Sequence, residues 1–367
     1  MGPFRILLII LILLIFVYVM YKLLKERATI LNSNKRLVIE GMSAKDEIRN
    51  LFGISSTVSI EDMNTKLTNL PLREYCIKAS YNSAYTGSSI SEDMVKYVLF
   101  RGCRFLDLQI HYSENDNLAY VANITDVNGK EMESSNRVAL DRILNTIAGN
   151  AFTTINGKNG SPNPKDPLFI HLRIIPDKNM KVYDVVAECI NTNFPASSRV
   201  LNNSGKSKLI DKYSQINNEF MKKTVFLMDK TYNPEYSYFS QPLANIINGE
   251  TGGSTFQMYD YSKMNNKVKT PPIMKDDFQT TNIVVEQIVI PDIYEKYPTP
   301  TVINMVNNYG VQITMYPFYK SNDNLRQYED LFNNFKSAII PMAYAINYLG
   351  KLETDIESRK ITIGAFA

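Results

Sequence analysis

Hydrophobic and polar positions along the chain fall into three regimes. The first is continuous. In "FRILLIILILLIFVYVMYKLL" no charge occurs from Ile6 to Tyr21. With Pro3 and Phe4 before it and Lys22 after it, the run reaches about the 17–20 residues that span a bilayer. It is long for the apolar core of a signal peptide, and no small-residue cleavage pattern comes after it. The second regime, 22–70, is mixed. "SAKDEIRNLFG" predicts a helix started by Ser43, with Ile48, Leu51 and Phe52 on one side and a stop at Gly53. "SIEDMNTKLTNLP" predicts a second short helix ended before Pro71. Neither is apolar enough to stand alone, and both are expected to pack against the larger domain C-terminal to them.

From residue 72 onward short strand-like runs alternate with helical ones. The strand candidates are "EYCIKAS", "RFLDLQIHY", "LAYVANI", "PLFIHLRII", "TVFLMDK", "STFQMYD", "TNIVVEQIVI" and "GVQITMY". The helix candidates are "SEDMVKYVLFRG", "SNRVALDRILNTIAGNAF", "NMKVYDVVAECINTNF", "TPTVINMVNNY" and "NLRQYEDLFNNFKSA". Such alternation predicts an α/β fold with parallel strands. Eight strand candidates suit a (β/α)8 TIM-type barrel. A doubly wound sheet would want a Gly-rich turn after its first strand, and none is present. Polar loops fall at 155–167, 202–208 and 248–254, and no P-loop is among them. The organisation expected is a membrane anchor at 1–24, a helical stalk at 25–71, a barrel at 72–345 and a C-terminal tail at 346–367.

Composition narrows the chemistry. Net charge is +3 with acids and bases nearly balanced and no block of like charge, so a nucleic-acid partner is not expected. Cys76, Cys103 and Cys189 are scattered, which fits buried thiols rather than a disulfide framework or a metal site. The only histidines are His111 and His171, so any histidine chemistry must use them. Lys22, Lys25, Arg27, Lys35 and Arg36 come after the apolar run, against Arg5 before it. That bias predicts a single-pass protein with its large domain on the cytosolic side or inside a particle budded that way. The sequons at Asn123 and Asn202 would matter only for a lumenal domain.

At "YCIKASYNSAYTG" and "GCRFLDLQIHY" the chain resembles the X region of phosphoinositide-specific phospholipase C and its relatives. That family shows S-H-N-T-Y after a strand, then G-C-R and a strand carrying E-x-D. The likeness continues through "NRVALDRILNTIAGNAF" and "DPLFIHLRI" and returns in "VNNYGVQITMYPFY". Loosely similar proteins occur in large DNA viruses and microbes, so a virion membrane is one expected setting. The resemblance implies a phospholipase C-like TIM barrel that cleaves a phosphodiester through two histidines, with calcium in many members. The first histidine falls on Tyr81, and the second on Ala122 or Asn123. Of the implied calcium ligands Asn82 is kept, Asp107 replaces a glutamate, Gln109 an aspartate, and Arg173 a further glutamate. Calcium needs oxygen ligands with net negative charge, so neither calcium nor another cofactor is expected. Bacterial members use an arginine in place of the metal, which makes Arg173, with Asn82 beside it, a phosphate-binding candidate.

Strand alternation puts Asp107, Gln109 and His111 on one face of their strand, and His171 and Arg173 on one face of theirs; the resemblance implies that both are lumen faces. The histidines are either a rebuilt acid–base pair or hydrogen-bonded interior residues. Tyr81 is a poised phenol or a structural one. Asp107 and Arg173 form a phosphate clamp or a plug. Asp229 and Lys230 end "TVFLMDK" where some relatives carry phosphate-binding lysines, a match too loose to use. Two parts of one mechanism are replaced. The expected function is therefore a membrane-anchored, catalytically inactive barrel that binds an anionic lipid headgroup or structural proteins. The alternative is an active, metal-independent phosphodiesterase acting on phosphoinositide-type lipids.

Overall fold

The computed structural model describes residue 18 and residues 44–364, apart from 54–56, 65–69, 125–131, 158, 176–179, 196–199, 201–215, 217–219, 255 and 293–296. The apolar run Ile6–Tyr21 lies outside the described residues except for the helical Tyr18. Among the described residues no helix is long and apolar enough to cross a membrane. The chain divides into two compact units, 1–46 and 47–367. In the first, residues 44–46 are helical. The second holds the barrel.

Eight parallel strands build it: β2 (Ala79–Ser80), β3 (Phe105–Ser113), β6 (Leu168–Ile174), β7 (Thr224–Asp229), β8 (Gly249–Thr251), β9 (Phe256–Asp260), β10 (Glu286–Ile290) and β11 (Ile313–Tyr316). Their hydrogen-bonded order is β8-β7-β6-β3-β2-β11-β10-β9. The two ends of that order are consecutive in sequence and meet through a bond from the Gly252 N–H to the Phe256 carbonyl, 2.9 Å. The result is a nearly closed TIM-type barrel. Central strands such as β3 and β6 are buried along almost their whole length, as expected where helices cover the outside. Among the covering helices are α1 (Glu92–Phe100), α2 (Leu140–Asn150), α3 (Lys181–Asn193) and α4 (Asp323–Asn334). Ser91 and Asn322 start α1 and α4 by accepting from Asp93 N–H and Leu325 N–H.

Several sequence expectations are corrected. "EYCIKAS" is broken at Lys78: β1 (Tyr75–Ile77) pairs antiparallel with β12 (Ile339–Pro341), and only β2 joins the barrel. "LAYVANI" is not a barrel strand. Its β4 (Leu118–Val121) folds back antiparallel on β3 and carries β5 (Val138–Ala139). The missing barrel strand is β8, inside the polar loop expected at 248–254. The tail expected from 346 lies in a helix, α5 (Met342–Gly364). Residues 59–64 are not helical; Glu61 instead bridges to Ser337. Ile48, Leu51, Ile60 and Met63 do pack into the core of the barrel unit.

Candidate functional site

Register stacks the lumen into layers. Paired residues on neighbouring strands face the same way, so Phe105 and Phe169 form a floor, with Asp107, His171, Leu227 and Gly249 above it. The next layer holds Gln109 opposite Arg173, and Asp229 opposite Thr251. Asp229 stands one step beyond the Leu172–Met228 pair, which brings it level with Arg173. The floor rings stack with centroids 6.0 Å apart.

Arg173 and Asp107 form the centre. Arg173 Nε donates to Asp107 Oδ1 at 2.8 Å and Nη2 to Oδ2 at 2.7 Å. Nη2 also donates to Asn82 Oδ1. The Asn82 backbone N–H reaches Asp107 Oδ2 at 3.1 Å, from a residue held at φ 41°. Asparagine tolerates that left-handed conformation better than most residues. The Asn82 side chain donates onward to Asn123 Oδ1 at 3.0 Å. Burial pushes the Asp107 carboxyl up, but Arg173 and the His171 hydrogen bond outweigh it and hold the group well below the usual carboxylate range. Burial likewise opposes the Arg173 charge, and Asp107 more than restores it.

The remaining candidates surround this pair without being free to act. His171 bonds Asp107 Oδ1 through Nδ1 at 2.9 Å and Thr251 Oγ1 through Nε2 at 2.8 Å, so both ring nitrogens are engaged. His111 lies two side-chain layers above, stacked on Tyr120 with centroids 5.8 Å apart. Burial, then the nearby Arg173 charge, pushes its pKa down to about 3, so the ring is neutral. The two histidines share no bond. The Tyr81 ring packs on the Arg173 guanidinium, 4.7 Å away. Burial raises its phenol above the ordinary value although Arg173 pulls the other way. Gln109 is a strap: its amide donates to the Ile124 carbonyl at 2.8 Å and accepts from the Ile124 N–H at 3.0 Å. Ala122 is buried beside it, its N–H on the Gln109 carbonyl at 3.3 Å. Asn123 is 4 % exposed with its amide bonded inside, so its sequon is closed to glycosylation in the folded chain.

Sequence reasoning missed Thr251, which sits in a three-residue strand between glycines and carries no periodic signal. It also set aside Asp229, whose carboxyl burial pushes up while His171 and Arg173 pull it down. The oxygens that the resemblance offers to calcium do not fit it. Asp107 and Asn82 give theirs to Arg173, Gln109 gives its own to the backbone, and the guanidinium occupies the space between. Among the described residues no group of three or more His, Cys, Asp or Glu side chains is placed to hold a metal.

Residues 68–189 match the family model for the phosphatidylinositol-specific phospholipase C X domain. No curated protein matches the chain. Among solved structures it is similar to PLC21 of L. pealei, at 13 % identity and a TM-score of 0.53, covering 78 % of this chain and 39 % of that one. PLC21 of S. officinalis gives 14 % identity and 0.53 over 76 % and 38 %. A calcium-dependent phosphoinositol-specific phospholipase C from Pseudomonas sp gives 10 % and 0.44 over 78 % and 100 %. The chain thus spans about two fifths of the length of the two PLC21 proteins. At these identities the likeness to the two PLC21 structures is one of fold.

Proposed function

Because the chain belongs, through its X region at residues 68–189, to the phosphatidylinositol-specific phospholipase C-like family, we propose that it is a membrane-held barrel that binds or scaffolds without cleaving a phosphodiester. One observation carries this reading: the Nε–Nη2 edge of Arg173 is closed on Asp107, with Asn82 also accepting from Nη2 and Tyr81 over the guanidinium face. A guanidinium recognises phosphate by offering parallel N–H donors, and here the donors of the Nε–Nη2 edge are taken from within.

The chemistry also lacks its proton carriers. Attack on phosphorus needs one group to take a proton from the nucleophile and another to give one to the leaving alcohol. Tyr81 is a buried phenol with a raised pKa, and Ala122 has no titratable group. His111 is neutral and shut in, and His171 is bonded at both nitrogens. No step is assigned to calcium, since its implied ligands are spent on Arg173 and the backbone.

The uncharged run Ile6–Tyr21 and the basic residues after it support an anchor, with the barrel on the cytosolic side or in a virion interior. Its partners in this reading are the membrane and an anionic lipid headgroup or a structural protein, not nucleic acid. The test uses the full chain in mixed micelles of detergent and phosphatidylinositol, with calcium and with chelator. No inositol phosphate should be released in either. Release under chelator would establish a metal-independent phosphodiesterase instead, and calcium-stimulated release would remove the proposal.

A further inference from the structure

Among the described residues the three most exposed large aliphatic side chains are Val268, Val284 and Ile273, at 86, 65 and 59 %. All three belong to residues 266–285, which lead from the short helix Tyr261–Asn265 into β10. Val268 and Val284 line one groove of about 160 Å³, over the buried Met264, Ile283 and Tyr309. Gln257 and Gln287 also line it, at the starts of β9 and β10, so it opens at the end of the barrel where the strands begin. Arg173 lies at the other end, next to last on β6. Ile273 adjoins the groove: its N–H donates at 2.8 Å to the side chain of Asn282, which lines it too. Single exposed apolar residues are ordinary, whereas several in one strip mark an interaction surface.

The strip is held in place by its backbone. The Asn282 side chain also donates to the Pro271 carbonyl at 2.9 Å, and the Thr270 N–H to the Asn308 carbonyl at 2.8 Å. Beyond Ile273 the chain turns back as a hairpin, with Lys275 N–H on the Gln279 carbonyl and Thr281 N–H on the Ile273 carbonyl, both 2.8 Å. Glu74 accepts from the Thr280 N–H and hydroxyl at 3.0 Å each, which ties the hairpin to the buried start of the barrel unit. The Phe278 ring rests on Tyr344, centroids 5.7 Å apart. A surface ordered in this way loses little further freedom when it associates.

The charges around the strip select the occupant. Lys267 lies over the Tyr259 ring at 4.0 Å. Asp276 is spent on the Phe278 and Gln279 N–H groups, and Lys275 reaches Gln279 Oε1 at 3.4 Å. Lys269 and Asp277 are exposed and unpaired among the described residues. They stand four residues before and four after Ile273, at the two ends of the strip. An acidic partner, a basic partner or an anionic lipid surface would attract one end and repel the other. A two-fold axis through the strip instead turns the lysine of each copy onto the aspartate of the other.

We propose that this strip is the interface of a two-fold dimer of the chain. Val268, Ile273 and Val284 form its apolar centre, and Lys269 of each copy faces Asp277 of the other. The dimer does not depend on whether the lumen is catalytic, because it uses the opposite end of the barrel.

Sedimentation velocity of the full chain in density-matched detergent, over a concentration series, tests it. A reversible dimer is expected. Val268→Asp should be monomeric at concentrations where the wild type is dimeric. Lys269→Glu and Asp277→Lys each set like charges opposite one another twice, and each should weaken the dimer about tenfold. The double variant Lys269→Glu/Asp277→Lys should regain the wild-type affinity, a rescue that arises only where two copies of the same face meet. All of these positions are exposed, and unchanged thermal unfolding of the variants would show that the fold is intact. A wild type that stays monomeric overturns the proposal and leaves the strip to a foreign protein. A dimer untouched by Val268→Asp also overturns it, since association then lies elsewhere in the chain. Failure of the double variant to recover removes the two-fold pairing.

Discussion

The Arg173 guanidinium meets the Asp107 carboxylate through two near-parallel hydrogen bonds, of 2.8 and 2.7 Å, at the centre of a lumen from which water is almost excluded. Both charges depend on one another there. Arg173→Met should leave Asp107 as a buried carboxylate with only His171 and backbone support, and destabilise the fold by about 3–5 kcal/mol. Combining it with Asp107→Asn should recover part of that loss, because the orphaned charge goes too. Urea unfolding of the two single variants and the double variant gives the coupling. Additive losses would show that the pair is not a unit.

Restoring the expected histidine should not restore chemistry. Tyr81→His places an imidazole over the Arg173 face, where the tyrosine ring now lies 4.7 Å from a guanidinium that would resist its protonation. Ala122 still supplies no acid on the other side. Release of inositol phosphate from mixed micelles should stay at background for Tyr81→His alone, with or without calcium. Measurable turnover from this single change would mean that the leaving-group acid is already present in the lumen.

Much of this arrangement is legible in the sequence, and the failures have physical causes. Strand alternation places Asp107, Gln109 and His111 on one face because β3 is long and regular. It places His171 with Arg173 for the same reason on β6. β8 escapes because three residues bounded by glycines show no period. β4 reads as a barrel strand because apolar alternation is the same in an antiparallel arm as in a barrel wall. The choice between clamp and plug for Arg173 turns on the hydrogen bonds it donates to the Asp107 and Asn82 side chains, which join positions far apart in sequence. No local pattern encodes such bonds.

The buried His111 should leave a signature in the pH dependence of stability. Its folded pKa of about 3 lies below the ordinary 6.5, so between those values the unfolded chain binds the extra proton. Its contribution is therefore fully present above about 6.5 and is lost as pH falls toward 3. Asp166 acts oppositely. Burial, against the pull of Arg104, lifts its folded pKa to about 6, so its contribution is present below the unfolded value and fades as pH rises through 6. The two slopes oppose between about pH 4 and 6. His111→Gln removes one of them. Relative to wild type, the variant should gain about 2–3 kcal/mol between pH 6.5 and 4.5. Urea midpoints measured at three pH values would check it. A constant difference across the range would mean that His111 takes up its proton in the folded state.

Gly102 tests whether the segment before the barrel is part of its fold. It ends α1 at φ 81°, its N–H on the Leu99 carbonyl at 2.9 Å, and it is the glycine of the G-C-R motif. A left-handed position of this kind suits glycine, and a side chain there costs about 1–2 kcal/mol. Space adds a second cost. A Cβ at Gly102 would lie 2.7 Å from Ile60 Cδ1 and within 3.2 Å of two more Ile60 carbons. Ile60 is buried in the main core and sits beside Glu61, which bridges to Ser337. Gly102→Ala should therefore destabilise the barrel by about 2–4 kcal/mol, the conformational and overpacking costs together. Ile60→Ala removes the obstructing carbons, so the double variant should lose less than the sum of the singles. Thermal and urea unfolding of the three variants would show the coupling. Full additivity would mean that Ile60 is not seated against Gly102 in solution, and that residues 57–64 do not share the barrel's cooperative transition.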